Sequence, residues 1–455
     1  KVWWQERKNR RSKGRSAWRG KRRSESESIK NQRTLLTEYV QKLGWEYQLI
    51  HTYVDQGFTG TNFNRPDFQR MIKDIELGKI NMVVTKDLSR LGRDYIETGE
   101  YIEKWFPENN VRYVSVTDGI DTFEASNGNN DIAPFKSILN DMYSKDLGAA
   151  GFRLDGAKEY YSGETDKNIE VLRWFNDYVK SVKPDAYIVA ETWCADYARY
   201  VESGIDSAFD FSYSSFDGNI SLVTQGVDPA YNGKYFATAL KNTQDTLAGY
   251  SKDAISATFV GNHDLNRAAH YLAFDENKIK FVHGLLGIMN GCTYIYYGDE
   301  IGIGGTGADE NKRSPMIWSS TDKTGECKGP INMDKNYVIN RFASVEEQEK
   351  DETSILSYVK QSVKLRNIFP EIARGTIEIL SDVEDGDIFA VSKTYNDSKI
   401  IILANTDKEE TKTVTLSREK NNYTCIQGML TVGEDKPYQV EDTIVLPPYS
   451  IVILK

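Results

Sequence analysis

Helical and strand patterns alternate along the first third of the chain. Residues 26–44 place their apolar side chains on one helical face, and residues 47–55 follow with a strand pattern. Two more helices and two more strands follow in alternation, at 65–79, 80–87, 95–106 and 111–119. Elements in this order form a parallel sheet with helices on its faces. We therefore predict an α/β domain for residues 24–146.

Three apolar runs in the middle of the chain each end in a carboxylate. They are "GAAGFRLD" at Asp155, "DAYIVAE" at Glu191 and "ISATFVGNHD" at Asp264. An amphipathic helical pattern separates the first two, so Asp155 and Glu191 lie one strand–helix–strand unit apart. In a strand–helix barrel both would project from the carboxyl edge of the sheet, where the chemistry of such barrels takes place. On spacing alone, the alternative is that these residues cap helices.

The last segment, residues 370–455, has the period of two that is typical of strands. Strand patterns occur at 387–395, 399–406, 412–416 and 443–455, with Asp, Asn and Gly residues between them. This arrangement predicts an antiparallel β-sandwich.

Composition and charge fit a protein with several domains. The chain has 455 residues, of which 39% are apolar, so it is long enough to build more than one hydrophobic core. The formal net charge is −10, yet residues 1–23 hold eleven Lys and Arg residues against one Glu. We expect this basic arm to be disordered. It is either a solvated tail or a segment that makes weak non-specific contacts with DNA phosphates.

The spacing of the cysteines argues against a zinc site and a disulfide framework, and the short apolar stretches argue against a membrane-spanning helix. The cysteines at 194, 292, 327 and 425 have neither metal-ligand spacing nor the pattern of a disulfide framework, so we expect free thiols and no metal site. No apolar stretch reaches about 18 residues, and the first residues lack the apolar core of a secretory signal. We therefore expect no membrane partner and, by default, a cytoplasmic protein.

Three arginines lie in polar loops of the first segment. Arg65, Arg90 and Arg93 would converge on a phosphate at the carboxyl edge of the sheet, because guanidinium groups match phosphate oxygens in a bidentate manner. On spacing alone, ordinary surface arginines are the alternative. The surrounding sequence, "YVDQGFTGTNFNRPDFQRMIKDIELGKINMVVTKDLSRLGRDYIETGEYIE", resembles the catalytic domain of serine recombinases, the resolvase and transposon-integrase family, over roughly residues 24–146.

This resemblance implies that the three arginines stabilise the phosphoryl transition state when a serine attacks DNA. The family's serine ends an apolar first strand in an R-x-S pattern. The corresponding stretch here, "RRSKGRSAWRGKRR", offers Ser12 and Ser16 without such a strand. The long helix that leads to the family's DNA-binding domain stops in "NDMYSKD". A DNA recombinase without a placed nucleophile is therefore the second hypothesis.

Two carboxyl groups that flank one bond are what glycoside hydrolysis requires. The motifs "GFRLDGAKEY", "VAETW" and "FVGNHD", followed by "GCTYIYYGDEIG" and "ENKRSPMIW", resemble the α-amylase family, glycoside hydrolase family 13, in the family's order. The resemblance implies Asp155 as the nucleophile, Glu191 as the general acid/base, and Asp264 as a carboxylate that binds sugar hydroxyls in the transition state. Trp193, beside the acid/base, either borders a sugar subsite or packs.

The same resemblance assigns substrate-binding roles to three more residues. Arg153 would keep the nucleophile ionised, and His263 and Lys158 fit the family's sugar-binding pattern. Glu159 stands where starch-degrading members often carry His. This difference favours maltooligosaccharides or other short α-glucosides over starch.

Only part of the family's barrel has a counterpart in the sequence. Strands four to eight are predicted at "GFRLD", "AYIVAE", "SAFDFS", "SATFVGNHD" and "CTYIYYGDE", whereas the first three strands have no match. The predicted fold class is α/β, with a resolvase-like parallel sheet, a partial TIM barrel over residues 147–369, and a β-sandwich over residues 370–455. We expect self-association through the open barrel edges. Calcium is common in the family, but the region that bears its ligands is mostly absent, and we predict no cofactor.

The function that we predict follows from the second resemblance. It is a retaining glycoside hydrolase that acts on maltooligosaccharides or related α-glucans, fused to a recombinase-like domain. The two sequences meet in "YSKDLG", where recombinase sequence ends and amylase sequence begins. A third hypothesis is an inactive fusion of two truncated genes, because fold and motif do not guarantee a working site.

Overall fold

The structure is a computed structural model that describes residues 2–5, 27–43, 47–55, 63–91, 101–117, 120–122, 149–324 and 326–455. The chain forms two compact units, Lys1–Ala149 and Ala150–Lys455. In the part of the chain that the structure describes, no helix is both long enough and apolar enough to cross a membrane.

The first unit is built around one sheet. Its strands are β1 (Val2–Gln5), β2 (Thr52–Asp55), β3 (Met82–Thr85), β4 (Arg112–Ser115) and β5 (Ile120–Asp121). They lie in the order β2-β1-β3-β4-β5, and all pair in parallel except β5, which joins β4 antiparallel. The helices are Glu27–Lys42, Pro66–Glu76, Leu88–Leu91 and Phe106–Glu108, with a π-helix at Tyr101–Trp105.

Each face of this sheet carries its own hydrophobic core, because alternate residues of a strand point to opposite faces. Val83 of β3 packs with Phe68 and its neighbours on the second helix. Met82 and Val84 pack with Leu36 on the first helix. Helices therefore cover both faces, which confirms the predicted α/β class for this unit.

Strand β1 differs from the prediction for residues 1–23. That segment is expected to be disordered, yet Val2–Gln5 lies between β2 and β3 as a strand of the sheet. Val and Trp favour strands, but the run is only four residues long and is followed by basic residues, so it gives no detectable period. Residues 6–23, which include Ser12 and Ser16, lie outside the described residues.

The second unit begins with five parallel strands whose order in space is their order along the chain. They are β6 (Gly151–Leu154), β7 (Tyr187–Ala190), β8 (Ser207–Asp210), β9 (Ala257–Phe259) and β10 (Cys292–Tyr294). Each coincides with one of the strands predicted as four to eight of a barrel, so the partial TIM barrel is confirmed. Its longer helices are Thr165–Val182, Asn219–Gln225, Gly233–Tyr250, Glu276–Gly287 and Ile355–Ile368.

Shorter helical segments of the second unit lie mostly in its loops. The α-helical ones are Ala268–Tyr271, Asp309–Lys312, Val345–Gln348, Pro370–Arg374 and Arg418–Asn421. The 3₁₀ ones are Ala157–Glu159, Tyr197–Ser203, Phe211–Tyr213 and Asp299–Ile301.

Helix Thr165–Val182 shows how the sequence pattern builds the wall of the half-barrel. Its buried apolar residues recur at intervals of three and four: Ile169, Leu172, Phe175 and Val179. Phe175 contacts Phe152 of β6, with ring centroids 5.5 Å apart. The helix thus connects β6 to β7 as a crossover between parallel strands, so both strands end at the same edge of the sheet.

The carboxyl-terminal part of the second unit is an antiparallel β-sandwich, which confirms that prediction. Its strands are β11 (Thr376–Ile379), β12 (Ile388–Tyr395), β13 (Ser398–Asn405), β14 (Lys412–Thr415), β15 (Ile426–Thr431), β16 (Tyr438–Val440), β17 (Thr443–Leu446) and β18 (Ser450–Leu454). The larger sheet has the order β11-β12-β13-β18-β15, and the smaller one the order β14-β17-β16. Strands β11, β15 and β16 are not among those predicted.

The larger sheet is buried on both faces. Ile401 and Leu403 of β13 pack with the smaller sheet, whereas Ile400 and Ile402 pack with the helices of the half-barrel. Because both faces are covered, residues 399–406 form a nearly continuous apolar run instead of a strict alternation.

His283, in helix Glu276–Gly287, makes the stability of this unit sensitive to acid. Its side chain is buried, and burial lowers the pKa of His283 to about 4. A histidine in the unfolded chain has a pKa of about 6.5. As the pH falls through this window the unfolded state takes up the proton first, so stability is lost between about pH 6.5 and pH 4.

When the pH falls from about 7 to about 4.5, both the unchanged protein and His283→Leu are expected to lose free energy of unfolding. We expect the loss to be about 2 to 3 kcal/mol smaller in His283→Leu. Leu removes the proton-binding site and keeps a buried side chain of similar size. Urea unfolding followed by circular dichroism at both pH values measures this difference. His51→Leu, at an exposed histidine, is the control. An equal loss of stability in His283→Leu and the unchanged protein would show that His283 does not cause the sensitivity to acid.

Candidate active site

Two of the predicted carboxylates follow neighbouring strands of the half-barrel. Asp155 comes directly after β6, and Glu191 comes directly after β7. Backbone pairing continues past the strand ends, since the Glu191 N–H donates to the Leu154 carbonyl and the Ala157 N–H donates to the Glu191 carbonyl, both at 2.8 Å. These bonds hold both carboxylates at the carboxyl edge of the sheet.

Arg153 contacts both carboxylates. Its Nη1 is 2.7 Å from Asp155 Oδ1, and its Nη2 is 2.8 Å from Glu191 Oε2. Because one planar guanidinium reaches both, these two oxygens lie within about 8 Å of each other, a range that includes the separation of about 5 to 5.5 Å in retaining glycosidases. The Gly156 N–H also points to Glu191 Oε2, at 3.3 Å.

A cavity of about 170 Å³ opens at this edge of the sheet. Arg153, Glu191 and His263 line it. The aromatic side chains in its wall lie on or just after β8, β9 and β10: Phe209, Phe211, Phe259, Tyr294 and Tyr296. The Glu191 side chain is 13% exposed, whereas that of Asp155 is 81% exposed and therefore open to an incoming ligand. An apolar wall with a few charged groups is typical of small-molecule sites.

His263 and Asp264 lie in a tight turn after β9. Asn262 Oδ1 accepts a hydrogen bond from the Asp264 N–H at 2.9 Å, and His263 Nε2 is 3.2 Å from Asp264 Oδ2. Arg313 holds this turn from a later loop. Its Nη2 donates to Asp264 Oδ1 at 2.8 Å, and its Nε donates to the His263 carbonyl at 3.1 Å. Arg313 belongs to the motif "ENKRSPMIW" but was not among the predicted site residues.

Lys158 and Glu159 pair with each other, with Nζ and Oε1 3.2 Å apart, in the 3₁₀ turn that follows the first carboxylate. Hydrogen bonds from Ser162 and Lys158 lower the pKa of Glu159 below its ordinary value. Neither side chain is among the described residues that line the cavity. The structure therefore places Lys158 beside the site, but not in contact with the pair of carboxylates that Arg153 holds.

Trp193 stacks on the wall of the cavity. Its ring lies parallel to that of Phe211, with centroids 4.7 Å apart and an angle of 7° between the planes. Phe211 lines the cavity, and Trp193 is still 51% exposed. One side of Trp193 therefore packs, and the rest of its surface stays open to solvent.

Arg65, in the first unit, is completely buried. Its Nη2 donates to the Leu91 carbonyl, and its guanidinium carbon lies 5.0 Å from the centroid of the Phe68 ring. Burial lowers the pKa of Arg65 to about 10. This guanidinium thus binds the short helix Leu88–Leu91 within the unit.

Arg90 lies in that short helix, with its Nε 3.4 Å from Asp87 Oδ1. Arg93 lies outside the described residues. The structure therefore brings Arg65 and Arg90 to the same helix, one through a contact with it and the other as part of it.

The His, Cys, Asp and Glu side chains were candidates for metal ligands, and the cysteines for disulfides. Within the described ranges, no group of three or more His, Cys, Asp and Glu side chains could hold a metal ion. The four cysteines, all in the described part of the second unit, are free thiols.

Family models match both parts of the chain. The model for the catalytic domain of alpha-amylases matches residues 133–375, and the model for the N-terminal domain of resolvases matches residues 20–149. The two matches overlap around residue 146, where the sequence predicts the change from one family to the other. Both resemblances seen in the sequence are therefore confirmed.

The similar proteins include several that are named as alpha-amylases. The chain is 30% identical over 310 residues to Alpha-amylase 3 of Dictyoglomus thermophilum, a match that covers 68% of this chain and 58% of that protein. It is 29% identical over 277 residues to Alpha-amylase SusG of Bacteroides thetaiotaomicron, which covers 57% of this chain and 38% of that protein. The chain thus spans less than two thirds of the length of either relative.

Solved structures of similar proteins have the same fold. Eubacterium rectale Amy13B superposes with a TM-score of 0.68 at 25% identity, over 85% of this chain and 90% of that one. The alpha-amylase from H. orenii does so with a TM-score of 0.60 at 21% identity, over 82% and 89% of the two chains. Because the alpha-amylase model matches more than half of the 455 residues, the chain belongs to the alpha-amylase family.

Proposed function

We propose that the second unit is a glycoside hydrolase of the α-amylase type, which cleaves α-glucosidic bonds with retention of the anomeric configuration. The observation that carries this proposal is the contact of one guanidinium, that of Arg153, with both Asp155 and Glu191 at the carboxyl edge of the sheet. Two carboxyl groups so close together can act on the same glycosidic bond. The names of the two relatives support an α-glucan as the substrate.

In the first step Asp155 is the nucleophile. Its carboxylate attacks the anomeric carbon while the bond from that carbon to the leaving oxygen breaks, and Glu191 gives its proton to that oxygen. The products are a glycosyl ester of Asp155 and a free leaving-group sugar. Arg153 orients both carboxyl groups through charge-assisted hydrogen bonds.

In the second step Glu191 is the base. Its carboxylate takes a proton from water, and the water oxygen attacks the anomeric carbon and displaces the carboxylate of Asp155. Two displacements at one carbon leave its configuration unchanged. The Gly156 N–H, 3.3 Å from Glu191 Oε2, helps to hold the carboxyl group of Glu191 in place for this step.

Asp264 and His263 are proposed to bind the sugar that reacts. The carboxylate of Asp264 accepts hydrogen bonds from sugar hydroxyls, and these strengthen as positive charge develops on the ring. Glu159, in the place where starch-degrading members often carry His, favours maltooligosaccharides or other short α-glucosides as substrates.

The configuration of the first product tests the proposal. Proton NMR during the first minutes of hydrolysis of a chromogenic maltooligoside should show the α-anomer before mutarotation, because two displacements retain the configuration. A β-anomer formed first would contradict the role of Asp155 as a nucleophile. No hydrolysis at all would favour the third hypothesis, an inactive fusion.

The match to resolvases over residues 20–149 makes DNA recombination by the first unit the second candidate function. That function needs a serine nucleophile, for which Ser12 and Ser16 are the candidates. We propose instead that this unit makes only weak, non-specific contacts with DNA through residues 1–23. Binding to duplex DNA should then weaken steeply between about 50 and 200 mM salt. A covalent protein–DNA adduct at either serine would overturn this view.

We also propose that the chain self-associates through the edges of the half-barrel. Among the described strands, β6 and β10 each pair with only one neighbour. An unpaired strand edge is a template for pairing with another chain. Sedimentation velocity at rising concentration should show an increasing average mass, and a constant monomer mass would contradict the proposal.

A further inference from the structure

Arg267 joins the loop after β9, in which it lies, to two later segments of the chain. Its side chain is completely buried. Nε donates to the Lys312 carbonyl at 2.9 Å, and Nη1 lies 3.0 Å from Asp299 Oδ1. Nη1 also donates to the Tyr297 carbonyl, and the Arg267 N–H donates to the Gly305 carbonyl at 3.0 Å. Arg267, in the loop after β9, thus binds both the loop after β10 and the segment 305–313.

The Arg267 guanidinium also supports the wall of the cavity. Its central carbon lies 4.1 Å from the centroid of the Tyr296 ring, which lines the cavity. The Tyr296 hydroxyl donates to the Lys312 carbonyl at 3.3 Å, the same oxygen that accepts from Arg267 Nε. The Lys312 carbonyl therefore binds both Tyr296 and Arg267, so it helps to fix the position of Tyr296.

The segment that Arg267 holds in turn holds Asp264. Lys312 Nζ donates to the Asp264 carbonyl at 2.7 Å, and Arg313 Nη2 donates to the Asp264 carboxylate at 2.8 Å. Asp264 is thus fixed through its backbone and its side chain by two neighbouring residues of one segment. Arg267 binds this same segment through the carbonyl oxygens of Gly305 and Lys312.

Burying a guanidinium costs free energy that a carboxylate partner offsets, and Asp299 is that partner for Arg267. The Asp299 side chain is 2% exposed, and its burial raises its pKa to about 6. Removing one partner of a buried pair leaves an uncompensated charge. Lys is a poor substitute for Arg at such a site, because its ammonium cannot present several donors in one plane.

We propose that Arg267, paired with Asp299, is a positioning residue for Asp264. It acts through the segment 305–313, which it fixes and which carries Lys312 and Arg313. The expected effect on catalysis rests on the function proposed above. The coupling between residues 261–266 and residues 305–313 does not depend on that function.

The experiment compares Arg267→Lys with Arg366→Lys. Arg366 is a matched control, because it also donates to backbone carbonyls, those of Gly287, Met289 and Gly291, and burial also lowers its pKa. Hydrogen exchange followed by mass spectrometry gives the local readout. We expect Arg267→Lys to speed exchange about tenfold in peptides covering residues 261–266 and 305–313, and Arg366→Lys to affect only peptides near residues 287–291.

Kinetics on a chromogenic maltooligoside give the second readout. Because Asp264 is expected to act mainly in the transition state, Arg267→Lys should lower kcat by about 10- to 100-fold with little change in KM. Arg366→Lys should leave both constants close to those of the unchanged protein. Asp299→Asn, which keeps the size of the side chain, should show the same exchange and kinetic pattern, and it takes the place of Arg267→Lys if that variant does not fold.

The two readouts separate this inference from the proposed function. Faster exchange at 305–313 without any change at 261–266, or an equal increase throughout the second unit, would overturn the inference. So would a variant that shows the expected exchange but an unchanged kcat. If the unchanged protein has no turnover at all, the proposed function fails, and the exchange pattern alone then decides whether Arg267 positions Asp264.

Discussion

Replacing Asp155 by Asn, or Glu191 by Gln, is expected to remove nearly all turnover of a chromogenic α-glucoside. Asn has no charged oxygen with which to attack the anomeric carbon, and Gln has no proton to give to the leaving oxygen. We expect kcat to fall by about 10³-fold or more in each variant. Steady-state kinetics of the purified variants measure this loss.

The leaving group distinguishes the two roles. Fluoride departs without a proton, so Glu191→Gln should keep far more of its activity on an α-glucosyl fluoride than on the chromogenic glucoside, whereas Asp155→Asn should be inactive on both. Asp185→Asn is the matched control, because Asp185 is also 81% exposed and pairs with a cation, Lys183, at 2.9 Å. Activity at the level of this control in either active-site variant would show that the assignment is wrong.

Replacing Arg153 by Lys is expected to lower kcat by about 100-fold with a smaller change in KM. The planar guanidinium binds Asp155 and Glu191 at the same time. The ammonium of Lys is a compact charge that cannot hold both carboxyl groups in one geometry. The same kinetic assay, extended over a range of pH, measures the effect.

Arg173→Lys is the control for this substitution, because Arg173 is exposed and donates only weakly, to the Glu202 carbonyl at 3.3 Å. It should behave as the unchanged protein does. A raised KM with an unchanged kcat in Arg153→Lys would mean that Arg153 binds the sugar equally in the ground and transition states instead of orienting the carboxyl groups.

The strands that carry Asp155 and Glu191 could be predicted from the sequence because each is a local pattern. An apolar run, a terminal carboxylate and a following helix lie within a few tens of residues, and the parallel order of the strands follows from the crossovers. Contacts between distant loops leave no such pattern. Arg313 reaches Asp264 across 49 positions, and Arg267 reaches Lys312 across 45, so neither contact could be found by periodicity.

Short or irregular strands mark a second limit of sequence patterns. Strand β1 has four residues and β16 has three, which is too few to establish a period. Strand β15 shifts its register between Ile426 and Gly428, and this irregularity disturbs the alternation of buried and exposed positions. By contrast, β12 and β13 have eight residues each and could be predicted.

The burial of Arg65 could not be predicted from its position in a loop. The sequence places it in a polar loop, beside Asn64 and Pro66. In the structure its guanidinium carbon lies 5.4 Å from the Phe63 ring and 5.0 Å from the Phe68 ring, and the side chain is buried. Tertiary packing of the two aromatic residues decides this environment, and their positions depend on the whole core of the first unit.

Asp155 is expected to form a covalent bond to the sugar, and this bond can be trapped. A 5-fluoro-α-glucosyl fluoride carries a good leaving group and forms a glycosyl ester that hydrolyses slowly, because the ring fluorine destabilises the positively charged transition state. Mass spectrometry of the treated protein should show one added fluoroglucosyl group, and peptide fragmentation should place it on Asp155, with no label on Asp155→Asn. A label on another residue, or no label in a protein that hydrolyses the chromogenic substrate, would contradict a covalent intermediate at Asp155.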